Sequence, residues 1–177
     1  FAGGCFWCIE ADFDKIEGVL ETVSGYTGGD VEEPTYREVV AGGTGHREAL
    51  RVVYDPEVVS YDELLTAFWH SVDPTDDGGQ FCDRGFSYTT AIYVMNEAQR
   101  AAAEASKARV RADLALDAAI ETPIVDAGEF WRAEEYHQNY HKKNPARYKF
   151  YRWNCGRNAR VREVWGETAF AGIPGLD

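Results

Sequence analysis

Basic side chains are scarce in this chain. Its 177 residues hold 18 Lys and Arg against 30 Asp and Glu, a formal net charge of −12. That balance argues against nucleic acid or an anionic membrane as partner, since both attract positive charge. Long apolar runs are missing as well: none approaches the roughly 18 residues needed to span a bilayer. There are only four cysteines, at positions 5, 8, 82 and 155, too few and too scattered for a disulfide framework. Such usage fits redox or catalytic thiols in a reducing compartment, and a cytoplasmic location is expected. No secretory signal is visible, but the chain opens on Phe1 and not Met, so a trimmed upstream segment is expected. Repeats, low-complexity stretches and linkers are also lacking. At this length, one domain with a real core is the expectation for residues 1–177.

The charge is unevenly spread. Residues 1–141 carry 10 basic and 27 acidic side chains, whereas residues 142–177 carry eight basic and three acidic. The expected layout is a core over about 1–141 with a basic C-terminal tail, about 142–177, lying back on it. The rival reading of that tail is a docking surface for an acidic partner such as a reductase.

Hydrophobic periodicity predicts an ordered alternation of elements. A strand end at Phe1-Ala2 leads to a helix over Phe6–Lys15 and a strand over Val19–Tyr26. A loop carries Pro34 to Val39, and a half-buried strand over Arg47–Tyr54 ends at Asp55-Pro56. A helix over Tyr61–Ser71 starts at the N-cap candidate Ser60. A Gly/Asp-rich loop from Asp73 to Ser87 precedes a strand over Thr89–Met95 and an Ala-rich helix from Glu97 to about Arg111. A short strand over Ile124–Ala127 and a helix over Ala133–Lys143 complete the pattern. The order β-α-β-β-α-β predicts an α+β domain of ferredoxin-like type. Its sheet is mainly antiparallel, with helices packed on it and a long C-terminal extension.

The segment Gly3-Gly4-Cys5-Phe6-Trp7-Cys8 carries the strongest chemical signal. Paired glycines allow a sharp turn and close approach to a ligand. Cys5 then falls at a helix start, where free N–H groups and the macrodipole favour a thiolate. Two aromatics beside it suit attack on something small and partly apolar. The bland alternative is a buried core cysteine. Glu48, Tyr36, Asp83 and Tyr88 fall in strand starts and loops that can converge near Cys5. A thiolate would attack an electrophilic centre there while a protonated Glu and phenols hydrogen-bond a developing oxygen charge. Glu48 would need apolar burial to stay protonated. Taken singly, Glu48 and Tyr36 are also readable as structural or solvated groups.

The chain closely resembles peptide methionine sulfoxide reductases of type A. The resemblance runs through Gly4-Cys5-Phe6-Trp7, Ser24-Gly25-Tyr26-Thr27-Gly28-Gly29 and Pro34-Thr35-Tyr36-Arg37-Glu38-Val39. It continues in Gly43-Thr44-Gly45-His46-Arg47-Glu48, Val53-Tyr54-Asp55-Pro56, the Asp83–Tyr93 stretch and Ala133-Glu134-Glu135-Tyr136-His137-Gln138. It implies Cys5 as nucleophile on the sulfoxide sulfur, with Phe6 and Trp7 holding the methyl group. It implies Glu48 as proton donor to the sulfoxide oxygen, Tyr36 and Tyr88 as phenols aimed at that oxygen, and Asp83 as an acid of the same pocket. Cys5 would become a sulfenic acid, a second thiol would close a disulfide, and a dithiol, expected to be thioredoxin, would clear it. The resemblance further implies the S epimer, free or in proteins; no bound cofactor or metal, and a monomer, are expected.

Three departures leave the resolving thiol open. Cys8 stands where most of the family has Gly, Cys82 where many have Asn, and the tail holds a single cysteine, Cys155. Cys155 is closest to the family's recycling position; Cys8 forms a C-x-x-C pair with Cys5; Cys82 neighbours Asp83. The rival from another class is a thioredoxin-like thiol–disulfide oxidoreductase using Cys5 and Cys8. A zinc module lacks a second closely spaced Cys/His pair, and a non-catalytic binder of oxidised methionine is a third alternative. His46 reads as a structural turn residue, and His137 with His141 as a solvated helix face.

Overall fold

The structure, a computed structural model, describes residues 1–114 and 117–176. Strand β1 (Ala2–Gly3) leads through two glycines into α1 (Phe6–Phe13). A Cβ on Gly3 would sit 2.4 Å from Ile9 Cδ1, and Gly4 has φ 79° with Gln80 Cβ 2.5 Å from the same position, so both must be glycine. Strands β2 (Val19–Thr27) and β3 (Arg47–Tyr54) pair antiparallel, with α2 (Tyr36–Ala41) inserted between them. Helix α2 occupies part of the expected loop. Thr35 and Glu38 form a reciprocal capping box at its start, a Thr-x-x-Glu signal present in the sequence. The same device, Ser60 with Glu63, opens α3 (Tyr61–Trp69) where the N-cap was expected.

The hairpin β4 (Gly79–Gln80) and β5 (Asp83–Arg84) precedes β6 (Thr90–Val94) and α4 (Glu97–Val110). Two short strands follow, β7 (Ile124–Asp126) and β8 (Phe130–Arg132), then α5 (Tyr140–Lys143), α6 (Pro145–Asn154) and α7 (Arg157–Trp165). Among the described residues the strands group as β1-β6-β7 and β3-β2-β8. All pairs are antiparallel except β6 with β7. Phe1 and Leu50 exchange backbone bonds of 2.9 and 2.7 Å between the two groups. The result is a mixed α+β fold whose core packs Phe13, Leu64, Phe68, Trp69, Ile92 and Trp165.

The helix expected over Ala133–Lys143 is corrected to a run of turns followed by α5 alone. Its side chains serve other backbone. Gln138 takes both the N–H and the C=O of Ser24, at 3.0 and 2.8 Å, and Asn139 adopts φ 53°. Those long-range bonds outweigh local helix propensity. Arg152 of the basic tail forks onto Asp12 at 2.7 and 3.1 Å, and Arg160 reaches Asp73 at 2.7 Å. No helix among the described residues is long and apolar enough to cross a membrane.

Candidate active site

Cys5 is the N-cap residue of α1, and the first backbone donor of the helix is claimed by a carboxylate. The Phe6 N–H donates to Glu48 Oε2 at 3.0 Å, in the buried interior. Glu48 reaches this point from β3, opposite Tyr26 of β2. Cys5, Phe6, Trp7, Tyr36, Glu48, Asp83, Tyr88 and Tyr151 line one cavity of about 50 Å³. Every residue expected from sequence to meet there does so, apart from the three cysteines considered below.

Burial dominates the electrostatics of this cavity. It pushes the Glu48 carboxyl up from 4.5 to about 8, against the Phe6 N–H bond and with the aid of nearby Asp83. Asp83 is likewise raised by burial, and it accepts a hydrogen bond from the Tyr151 hydroxyl. Tyr36 and Tyr88 are held protonated, first by burial and then in part by the neighbouring Glu48. The sequence expectation for Cys5 is corrected. Burial, hydrogen bonding with Cys8, and the Glu48 and Asp83 carboxyls together push its thiol well above the ordinary value, overriding the helix start. Cys8 goes the other way, down to about 7, through its hydrogen bond with Cys5 and the charges of Arg157 and Arg152.

The aromatic wall is built from distant chain. The Trp7 indole stacks on Tyr140 at 3.7 Å and 7°, meets Tyr151 edge-on at 5.6 Å, and donates its Nε1–H to His137 Nδ1 at 3.0 Å. His137 is buried and packs between Phe6 at 5.0 Å and Tyr36 at 4.5 Å. It is not the solvated helix residue expected. His141 differs as well: its ring nitrogens face Glu10 at 3.8 Å and Asp14 at 3.4 Å. His46 does hold a turn, accepting from the Gly29 N–H at 3.1 Å. Glu134 takes the Tyr26 hydroxyl at 2.9 Å and the Tyr36 N–H at 3.2 Å, fixing the phenol loop. Tyr151, Tyr140, His137 and Glu134 were missed as site residues. The one available signal for Tyr151 was its place one helical turn before Cys155.

Cys82 and Cys155 form a disulfide, while Cys5 and Cys8 are free and buried. Both sulfurs of the disulfide and an Asp83 oxygen lie within 4.8 Å of one another, so this pair borders the cavity wall.

A family model described as peptide methionine sulfoxide reductase matches residues 1–169. The chain belongs to the peptide methionine sulfoxide reductase family. It is an enzyme of that type. Peptide methionine sulfoxide reductase MsrA 2 of Rhizobium meliloti is 53% identical over 173 residues, covering 98% of this chain and 85% of that protein. The MsrA of Bacillus licheniformis is 51% identical over 166 residues, covering 94% and 92%. Among solved structures, reduced Mxr1 from Saccharomyces cerevisiae superposes with a TM-score of 0.77 at 30% identity, covering 82% of this chain and 83% of Mxr1.

Proposed function

We propose that this enzyme acts on the S epimer of methionine sulfoxide, free or in exposed protein segments, with Cys5 as nucleophile. The observation that carries the reading is the shared cavity. A thiol, a carboxyl raised to about 8 and two phenols line a space of about 50 Å³ walled by Phe6 and Trp7. That space suits a methyl sulfoxide and little more.

The Cys5 sulfur attacks the sulfoxide sulfur, passing its proton to the adjacent Cys8. Glu48 gives its proton to the sulfoxide oxygen, while the Tyr36 and Tyr88 hydroxyls stabilise the charge that develops there. Methionine leaves, and Cys5 carries the oxygen as a sulfenic acid. Phe6 and Trp7 hold the methyl group, and Asp83, bonded to Tyr151, completes the polar side of the pocket. A second thiol closes a disulfide with release of water, and a protein dithiol, thioredoxin by family resemblance, returns the enzyme to its starting state.

For the architecture we infer the ferredoxin-like arrangement in one domain. It is supported by the β2–β3 hairpin, the β1–β6 pair and the Phe1–Leu50 bonds between them. The thioredoxin-like alternative is not favoured, because Cys5 is only 7% exposed and sits below a cavity too small for a partner's loop. Methionine release with dithiothreitol as reductant tests the mechanism. The native chain should turn over and Cys5→Ser should not; residual turnover by Cys5→Ser removes Cys5 from the nucleophile role.

A further inference from the structure

The Trp7 indole is backed by a segment with little of its own to hold it in place. Tyr140 covers the ring face at 3.7 Å and 7°. Tyr140 does not line the cavity, so whatever it does to substrate it does through Trp7. It opens α5, a helix of four residues with no side-chain cap and no buried residue. A helix that short does not stand on its own hydrogen bonds.

Charge holds it against α1. Trp7, Glu10 and Asp14 stand at i, i+3 and i+7, on one face of α1 and its C-cap. Tyr140, His141 and Lys142 meet them in the same order. His141 Nδ1 lies 3.8 Å from Glu10 Oε2, and its Nε2 lies 3.4 Å from Asp14 Oδ2. Lys142 Nζ reaches the same Asp14 oxygen at 2.5 Å. Glu10 is the unusual member. Its side chain is 0% exposed, and neither of its oxygens has a hydrogen-bond partner among the described residues. A carboxyl buried in that way is costly unless a charge compensates it, and His141 is the cation set against it. Burial alone would lower the His141 imidazole, but Asp14 and Glu10 raise it from 6.5 to about 9, so it is charged at neutral pH. The groups facing it are Glu10 and Asp14 from α1, Lys142 from α5, and the Tyr148 ring from α6 at 5.9 Å.

We propose that Glu10 and His141 are a positioning pair. Their ion pair presses Tyr140 onto Trp7 and so sets the width of the methyl pocket, which selects methyl over larger S-alkyl groups. The proposal rests on the reading that Phe6 and Trp7 hold the substrate's methyl group. Neither Glu10 nor His141 lines the cavity, so both act through the indole and not on the reacting atoms.

The test compares the S epimers of methionine sulfoxide and of its S-ethyl homologue, with dithiothreitol as reductant. One methylene in a tight apolar pocket is worth about 10–200-fold, and the native chain should favour the methyl substrate in kcat/KM on that scale. Glu10→Gln and His141→Gln should each raise KM for the methyl substrate more than they lower kcat, and should narrow the preference by about fivefold. The double variant, which leaves no buried charge unpaired, should recover part of the loss. Tyr140→Leu touches none of these charges and should narrow the preference to a similar extent, which keeps the test open where a single charge variant does not fold. An unchanged preference in folded Glu10→Gln, His141→Gln or Tyr140→Leu overturns the proposal. So does a double variant whose loss equals the product of the two single losses. A native chain that takes both homologues equally defeats the methyl-wall reading instead.

Discussion

Glu48 accepts the Phe6 backbone N–H at 3.0 Å inside the protein, although 42 residues separate them in the chain. This contact ties the start of β3 to the first turn of α1. It sets the carboxyl beside Cys5; burial, which outweighs this hydrogen bond, is why the carboxyl keeps its proton near neutrality.

The proposed role of Glu48 is that of an acid. Glu48→Gln keeps the shape but removes the transferable proton, so turnover should fall by about 10²–10³-fold. In the native chain kcat/KM should decline as pH rises through about 8, where Glu48 loses its proton. An unchanged rate in Glu48→Gln removes it from the mechanism.

The same group leaves a mark on stability. Between 4.5 and about 8 the folded chain retains a proton that the unfolded chain releases. Glu48 therefore lowers stability as pH rises across that window. Denaturant titrations at several pH values should show a shallower decline for Glu48→Gln than for the native chain.

Much of this was legible in the sequence. The cavity residues sit in short motifs whose order along the chain carries the family resemblance, and alternation marked β2, β3 and β6. What stayed hidden depends on contacts that no local period encodes. The Trp7 indole and His137 are 130 residues apart, and Gln138 gives its side chain to Ser24 at a separation of 114. A helix over Ala133–Lys143 therefore looked sound on propensity alone. The shift of the Cys5 thiol was hidden for the same reason, since burial and the carboxyls around it come from other elements. The Cys82–Cys155 pairing was out of reach because spacing alone does not specify connectivity.

His137 should act through Trp7. His137→Ala leaves the indole N–H without its partner, a loss of about 1–3 kcal/mol. With the methyl wall loosened, KM should rise more than kcat falls, and His137→Gln, which restores an acceptor, should recover part of the loss. Equal and complete loss of kcat in both variants contradicts a positioning role.

Arg152 should matter for stability. Its fork onto Asp12 is buried on both sides, so Arg152→Leu leaves a carboxylate without compensation. A cost of about 3–5 kcal/mol is expected in urea unfolding. A change below 1 kcal/mol, on the scale of an exposed ion pair, shows that the pair does not hold the tail in place.

The most direct measurement presents the two epimers of methionine sulfoxide separately to the native chain, with dithiothreitol as reductant, and counts methionine. The account predicts turnover of the S epimer alone, the epimer that the family resemblance implies. Equal turnover of both epimers, or of neither, contradicts it.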